Sequence, residues 1–248
     1  MSDINRANRQ VCDVDIREYK TKKPFLFFDT ANTTTAGINS DAVYAMAKGA
    51  RRIAFDNPLE GTMTIEAQVY PFRLFSLFSD GTIHSSAYIA DTKSVKCTTA
   101  GSLAISVTNG TIEAGTVFVY PEDSFGDEST LIAGTFASGT FTATEAANIV
   151  VDTTYKVGYI VKIASGVKTI KFNNKYQSKA YFVTMDTLDK DEDDVLTPFK
   201  LTAYKAKPQR NFELSFSSEG DPASVTVTFD LLEDKNGDVL DMVEIPAE

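Results

Sequence analysis

The chain has 248 residues, enough for one large β domain or for a domain carrying an insertion. At 43% hydrophobic and 23% charged it has the composition of a globular protein with a sizeable core. Its formal charge of −10 excludes a protein that grips nucleic acid through the phosphates, though not one that handles nucleic acid by repelling it.

The opening residues, Met-Ser-Asp-Ile-Asn-Arg-Ala-Asn-Arg, lack the apolar stretch of a secretion signal, and no apolar run reaches the length of a membrane span. Synthesis in a cytoplasm, without membrane insertion, is therefore expected. Phe25–Phe28 reads as a short strand. Val43–Phe55 reads as strand–loop–strand, with Lys48, Arg51 and Arg52 around Gly49 making a cationic tip. Thr62–Tyr70 alternates cleanly, placing Met63, Ile65, Ala67 and Val69 on one side and Thr62, Thr64, Glu66 and Gln68 on the other. Pro71 then opens a short helix in which Phe72, Phe75 and Phe78 recur at i+3, and Ser79-Asp80-Gly81 stops it. A short helix that is apolar all round belongs to a core.

From Thr98 to Ser165 the chain is rich in Thr, Ala, Ser and Gly. Short β runs appear at Leu103–Val107, Val117–Tyr120, Leu131–Phe136, Ile149–Val151 and Val157–Ile163, with turn signals at Asn109-Gly110 and Ser138-Gly139. Its acids greatly outnumber its two bases, Lys156 and Lys162. The stretch reads as an inserted immunoglobulin-like subdomain, dividing the chain into 1–97, 98–165 and 166–248; one enlarged sandwich is the alternative.

Val167–Phe172 and Ala180–Thr184 follow, then the acidic run Asp186, Asp189, Asp191, Glu192, Asp193 and Asp194, and a strand at Phe199–Tyr204. Two strictly alternating segments come next, Asn211–Glu219 and Ser224–Asp230. Phe212, Leu214, Phe216, Val225, Val227 and Phe229 form an apolar face. Asn211, Glu213, Ser215, Ser217, Ser224, Thr226, Thr228 and Asp230 form a wet one. Like the wet side of Thr62–Gln68, this face carries acids and no lysine or arginine. Such a wall lets a polyanion pass without holding it. Asn236-Gly237 reads as a hairpin turn between Phe229–Leu232 and Val239–Val243. A calcium loop starting at Asp234 is excluded, because its glycine comes too early and Ile245 stands where the bidentate acid belongs.

Chemistry is sparse. His84 is the single histidine and has no partner motif; Cys12 and Cys97 read as reduced thiols. There is no nucleophile elbow, P-loop, zinc motif or dinucleotide fingerprint, so no catalytic residue, cofactor or metal is expected. The cationic tip and the acidic residues Asp189, Asp191, Glu192, Asp193 and Asp194 complement one another in charge. Together they are the candidate contact between copies of the chain.

Ala206–Ala223 followed by Val225–Asp230 resembles the closing hairpin of the tail tube (major tail) proteins of tailed bacteriophages. Gly61–Phe72 is similar to that family's middle segment, and Val43–Asn57 to its long loop. The resemblance covers the two flanks and not Thr98–Ser165. It implies a mainly β fold, a tail-tube-type β-sandwich or barrel with one short flanking helix, into which the immunoglobulin-like subdomain is inserted. It further implies hexameric rings stacked into a hollow tube, with the acidic wet face lining a channel for double-stranded DNA. Partners implied are further copies of the chain, tape measure and tail completion or baseplate proteins, and a sheath if the tail contracts. The competing readings are a capsid decoration protein and a carbohydrate- or surface-binding sandwich, though the latter would favour exposed tryptophan and the chain has none.

Overall fold

The computed structural model describes residues 5–175, 177–214, 218–220 and 222–245. In chain order the first strands are β1 Arg6–Ala7, β2 Asp13–Glu18, β3 Pro24–Phe28, β4 Thr33–Asn39, β5 Ala42–Ala47, β6 Ala50–Asp56 and β7 Glu60–Ala67. Then come β8 Ala87–Lys96, β9 Ser102–Ala104, β10 Thr111–Ile112, β11 Phe118–Pro121, β12 Gly134–Ala137, β13 Thr140–Ala143 and β14 Thr154–Ile163. The last are β15 Tyr181–Asp191, β16 Leu196–Pro208, β17 Val225–Leu231 and β18 Leu240–Glu244. The chain divides into two compact units, 1–82 with 170–248, and 83–169. β8 falls in the second unit because it pairs along its whole length with β14, whereas the sequence alone put that boundary at 97.

The discontinuous unit is built on a nine-stranded antiparallel sheet ordered β3-β2-β15-β16-β17-β7-β4, with β1 and β18 lengthening it beside β15 and β16. Its two edge strands, β3 and β4, are joined by residues 29–32 alone, so they end within about 18 Å of each other. The sheet is therefore rolled upon itself, and Cys12 N–H, just before β2, donates across to Thr34 Oγ1 in β4 at 3.1 Å. Alternation fills the inside of the roll with Val14, Ile16, Met63, Ile65, Tyr181, Val183, Met185, Val227 and Phe229, all essentially buried.

The helix after β7 spans Phe72–Phe78 and is of the 3₁₀ type. Three residues per turn makes the i+3 spacing literal, stacking Phe72, Phe75 and Phe78 along one side while Leu74, Leu77 and Phe78 are buried. Alternation in β7 stops at Ala67; Val69, expected on the apolar side, is 69% exposed.

Two expectations near the C-terminus are corrected. Asn211–Leu214 is not a strand, because the place beside β17 is held by β16, whose Pro208 pairs with Phe229 and has no N–H to carry the ladder on. After Gln209 N–H donates to Thr228 O, the chain turns away. Phe212 is captured by an aromatic cluster, stacked 4.7 Å from Phe78 with Phe75 and Phe172 around it, and Leu214 is left exposed. Phe216, Ser215 and Ser217 lie outside the described residues.

Asn236-Gly237 makes a turn, with Asp234 Oδ1 accepting from the N–H groups of Asn236 and Asp238, but its flanking strands do not pair with each other. Both lie on the same edge of β16 and run the same way: Leu231 faces Ala206 and Leu240 faces Ala203. The turn is a loop thrown out of one long strand, not a hairpin.

The second unit holds a four-stranded sheet, in which β14 carries β8 on one edge and β10 and β11 on the other, and a three-stranded sheet β12-β13-β9. One core of Leu103, Val119, Phe141, Ile149, Val157 and their neighbours is shared by them. Ile149–Val151, expected as a strand, is a turn instead. Ile149 is buried, and the Val150 N–H donates to the Tyr155 hydroxyl, which itself donates to Asn148 O. His84 serves the backbone, exchanging both of its main-chain hydrogen bonds with Thr169 at the neck of the unit.

Candidate functional site

Three surfaces of the discontinuous unit gather the residues singled out by the sequence. The first is the outward face of β7 and β17. Their register sets Glu66 opposite Thr226, Thr64 opposite Thr228 and Thr62 opposite Asp230, with 3.3 Å between the Thr64 and Thr228 hydroxyls. β4 lies on the other side of β7 and adds Thr33 and Thr35, opposite Glu66 and Thr64. Its Thr-Thr-Thr-Ala-Gly run was a strand signal that the sequence reading did not use. Asn211 and Glu213 come to this face from their irregular segment. With Arg210, Ser224, Thr226 and Thr228 they border an open cavity of about 680 Å³ beside β17. Gln68 stands just past the end of β7, its N–H donating to Asn32 Oδ1.

The strands β4, β7 and β17 present no base on this face, although Arg210 borders the cavity. On the next strand Lys207 stands opposite Asp230, whose carboxylate accepts from Gln209 Nε2 at 2.7 Å. Beyond it the outward face is laced with pairs: Lys200 with Asp186, Arg17 with Asp15, and the Tyr204 hydroxyl donating to Asp241. That last bond, made to a carboxylate, raises the pKa of the Tyr204 phenol.

The second surface is the hairpin β5–β6, which among the described residues pairs only with itself. Lys48 and Gly49, both at positive φ, close it as a two-residue turn of the kind whose twist suits a hairpin. Cross-strand pairing sets Val43 beside Phe55 and Ala45 beside Ile53, so one face is wholly apolar; Val43, Ile53 and Phe55 are 59%, 56% and 60% exposed. Of the basic residues at its tip, Arg51 lies over the ring of Tyr44 at 4.3 Å.

The third surface is the turn between β15 and β16. Asp191 Oδ1 accepts from the N–H groups of Asp193 and Val195, closing the turn. Asp189 accepts from Asn8, Glu192 from Asn5, and Asp194 pairs with Lys190. Among the described residues, Asp193 alone of these five acids turns a carboxylate outward without a partner, and no ion pair joins the acidic turn to Lys48, Arg51 or Arg52 of the same chain. Replacing Asp191 with Ala should lower stability by about 1 kcal/mol in urea unfolding, whereas Asn, whose Oδ1 accepts the same bonds, should recover most of that loss. An unchanged midpoint would mean that the carboxylate does not hold the turn.

No group of three or more metal-ligating side chains is present among the described residues, and no described helix is long and apolar enough to cross a membrane. The model of the YomU/Tube protein family matches residues 9–245. The chain belongs to the YomU/Tube protein family. Comparison with curated proteins finds no match. As a member of the YomU/Tube family the chain is a phage tube-type structural protein, a component of the virion tail. The family match runs through residues 83–169, so the second unit lies within the matched span.

Proposed function

We propose that copies of this chain close into rings of six that stack into a phage tail tube. The outward face of β4, β7 and β17 then lines a channel through which double-stranded DNA is ejected. The observation that carries the reading is the β5–β6 arm. A lone two-stranded hairpin is marginal in water, and this one holds an apolar face clear of its own chain in a protein of a tube family. Its natural cover is a neighbouring copy, with Lys48, Arg51 and Arg52 set against the acidic turn at Asp193 to fix the register.

In the channel, the hydroxyls and the carboxylates of Glu66, Glu213 and Asp230 outnumber Arg210, whose guanidinium donates to the main chain at Phe78 and Asn173, so the genome slides without any bond being made or broken. The tube is assembled in the host cytoplasm and meets a tape measure protein inside it, completion or baseplate proteins at its ends, and a sheath where the tail contracts. Residues 83–169 act as an immunoglobulin-like module. The Tyr155 hydroxyl bound back to the main chain at Asn148 and Val150 is the corner such sandwiches use.

Negative-stain microscopy of the purified protein tests the reading. Rings with six-fold symmetry and tubes built from them are expected. A protein that stays monomeric at roughly 100 µM for days would overturn it.

A further inference from the structure

β8 is the longest strand of the second unit to have a bare edge. Its ten residues pair with β14 on one side, and among the described residues nothing pairs with the other. Three contacts fix which backbone groups face outward. Ile160, opposite Ala90, directs both its N–H and its C=O away from β8, to Thr116 and Glu113. Cys97 N–H bonds toward β14, to Thr153 O. The Thr92 N–H is taken by the neighbouring Asp91 carboxylate at 2.8 Å, not by β14. By alternation, the main-chain groups of Tyr88, Ala90, Thr92, Ser94 and Lys96 all point to the open edge.

An exposed edge of this length invites another strand unless charge forbids it. Here charge permits one register. We propose that two copies of this chain join antiparallel along β8, about a two-fold axis through Thr92, into a single sheet continuous across both. In that register Asp91 lies opposite Lys93 of the second copy, twice over. Ile89 meets Val95, Ala90 meets Ser94, and Tyr88 meets the Lys96 side chain, which it can hold against its ring. A shift one step either way sets Asp91 against Asp91 or Lys93 against Lys93, and larger shifts leave each charge facing an apolar residue. The carboxylate that caps Thr92 in the single chain is the one released to Lys93 of its neighbour.

This contact does not rest on the tube. Neighbours in stacked rings all point one way along the tube axis, whereas a two-fold contact reverses direction, so the pairing belongs to the unassembled protein. Its failure leaves the tube reading standing.

Cysteine cross-linking of the full chain tests the register. Across an antiparallel hydrogen-bonded pair the Cα atoms are about 5.5 Å apart, within disulfide reach. With oxidised glutathione, Thr92→Cys should give a covalent dimer on a non-reducing gel. Ala90→Cys and Ser94→Cys should each stay monomeric, while the two together cross-link. Sedimentation should show Asp91→Lys weakening the dimer about tenfold, with Lys93→Asp added to it restoring wild-type affinity. Both charged residues are exposed, so circular dichroism should be unchanged. Absence of the Thr92→Cys dimer at roughly 100 µM in a folded chain, or a double reversal that fails to restore association, overturns the proposal.

Discussion

A chain carrying Val43→Ser, Ile53→Ser and Phe55→Ser should fold and melt like the wild type, yet form neither rings nor tubes. The three side chains sit together on one face of the β5–β6 arm and are more than half exposed, so the isolated chain loses little with them. In the proposed tube the same face is covered by a neighbour. Burying three such side chains completely contributes on the order of 6 kcal/mol, and even half of that shifts each contact by about a hundredfold. Because every subunit repeats the contact, the loss is felt throughout the tube. Sedimentation velocity beside a thermal melt separates the outcomes. Unimpaired tubes would remove the arm from the assembly, and a melt lowered by more than about 5 °C would show that it packs within its own chain.

The second large effect concerns the channel. Glu66→Lys with Glu213→Lys should leave tubes looking normal while cutting infectivity by about a hundredfold or more, because each ring would then grip phosphate at several points at once. Asp230 is left unchanged in this design. It faces Lys207 and accepts from Gln209, and a lysine there would put like charges directly opposite and weaken the sheet itself. Full infectivity with intact tubes would mean that these acids do not line the DNA path. Loss of tubes would mean that they belong to a contact between subunits.

Much of the sheet could be read from periodicity. Thr62–Ala67 and Val225–Asp230 alternate because each buries one face in the rolled sheet, and their partnership only adds register to what the pattern already held. Asp13–Arg17 carries the same signal, with Val14 and Ile16 inside and Asp13, Asp15 and Arg17 outside, and could have been found from it. Asn211–Leu214 shows where the pattern misleads. Its alternation is as clean as any, but strand formation needs a free edge, and β16 had taken it. The expected strand Phe199–Tyr204 was too short, since Lys205 and Lys207 broke the apolar rhythm of a strand that runs to Pro208. The long-range partnership of β16 with both β17 and β18 has no local signature at all. At the candidate site the residue types were legible, and so were the local partners of Asp191 and Asp194, whereas the partners of Asp189 and Glu192 are Asn8 and Asn5, which arrive from the far end of the chain.

The split of the tube-forming unit around residues 83–169 also has a meaning in time. β2 pairs with β15, and β7 with β17, so the first strands made wait for partners more than a hundred residues downstream. On a ribosome adding about 5–20 residues per second, residues 83–169 can fold while the rolled sheet is still half written. The sheet closes only once residues 225–231 have emerged. On the proposed assembly, a nascent chain carries its apolar arm before it has a ring-forming body to attach it to, and synthesis itself delays polymerisation until each subunit is whole.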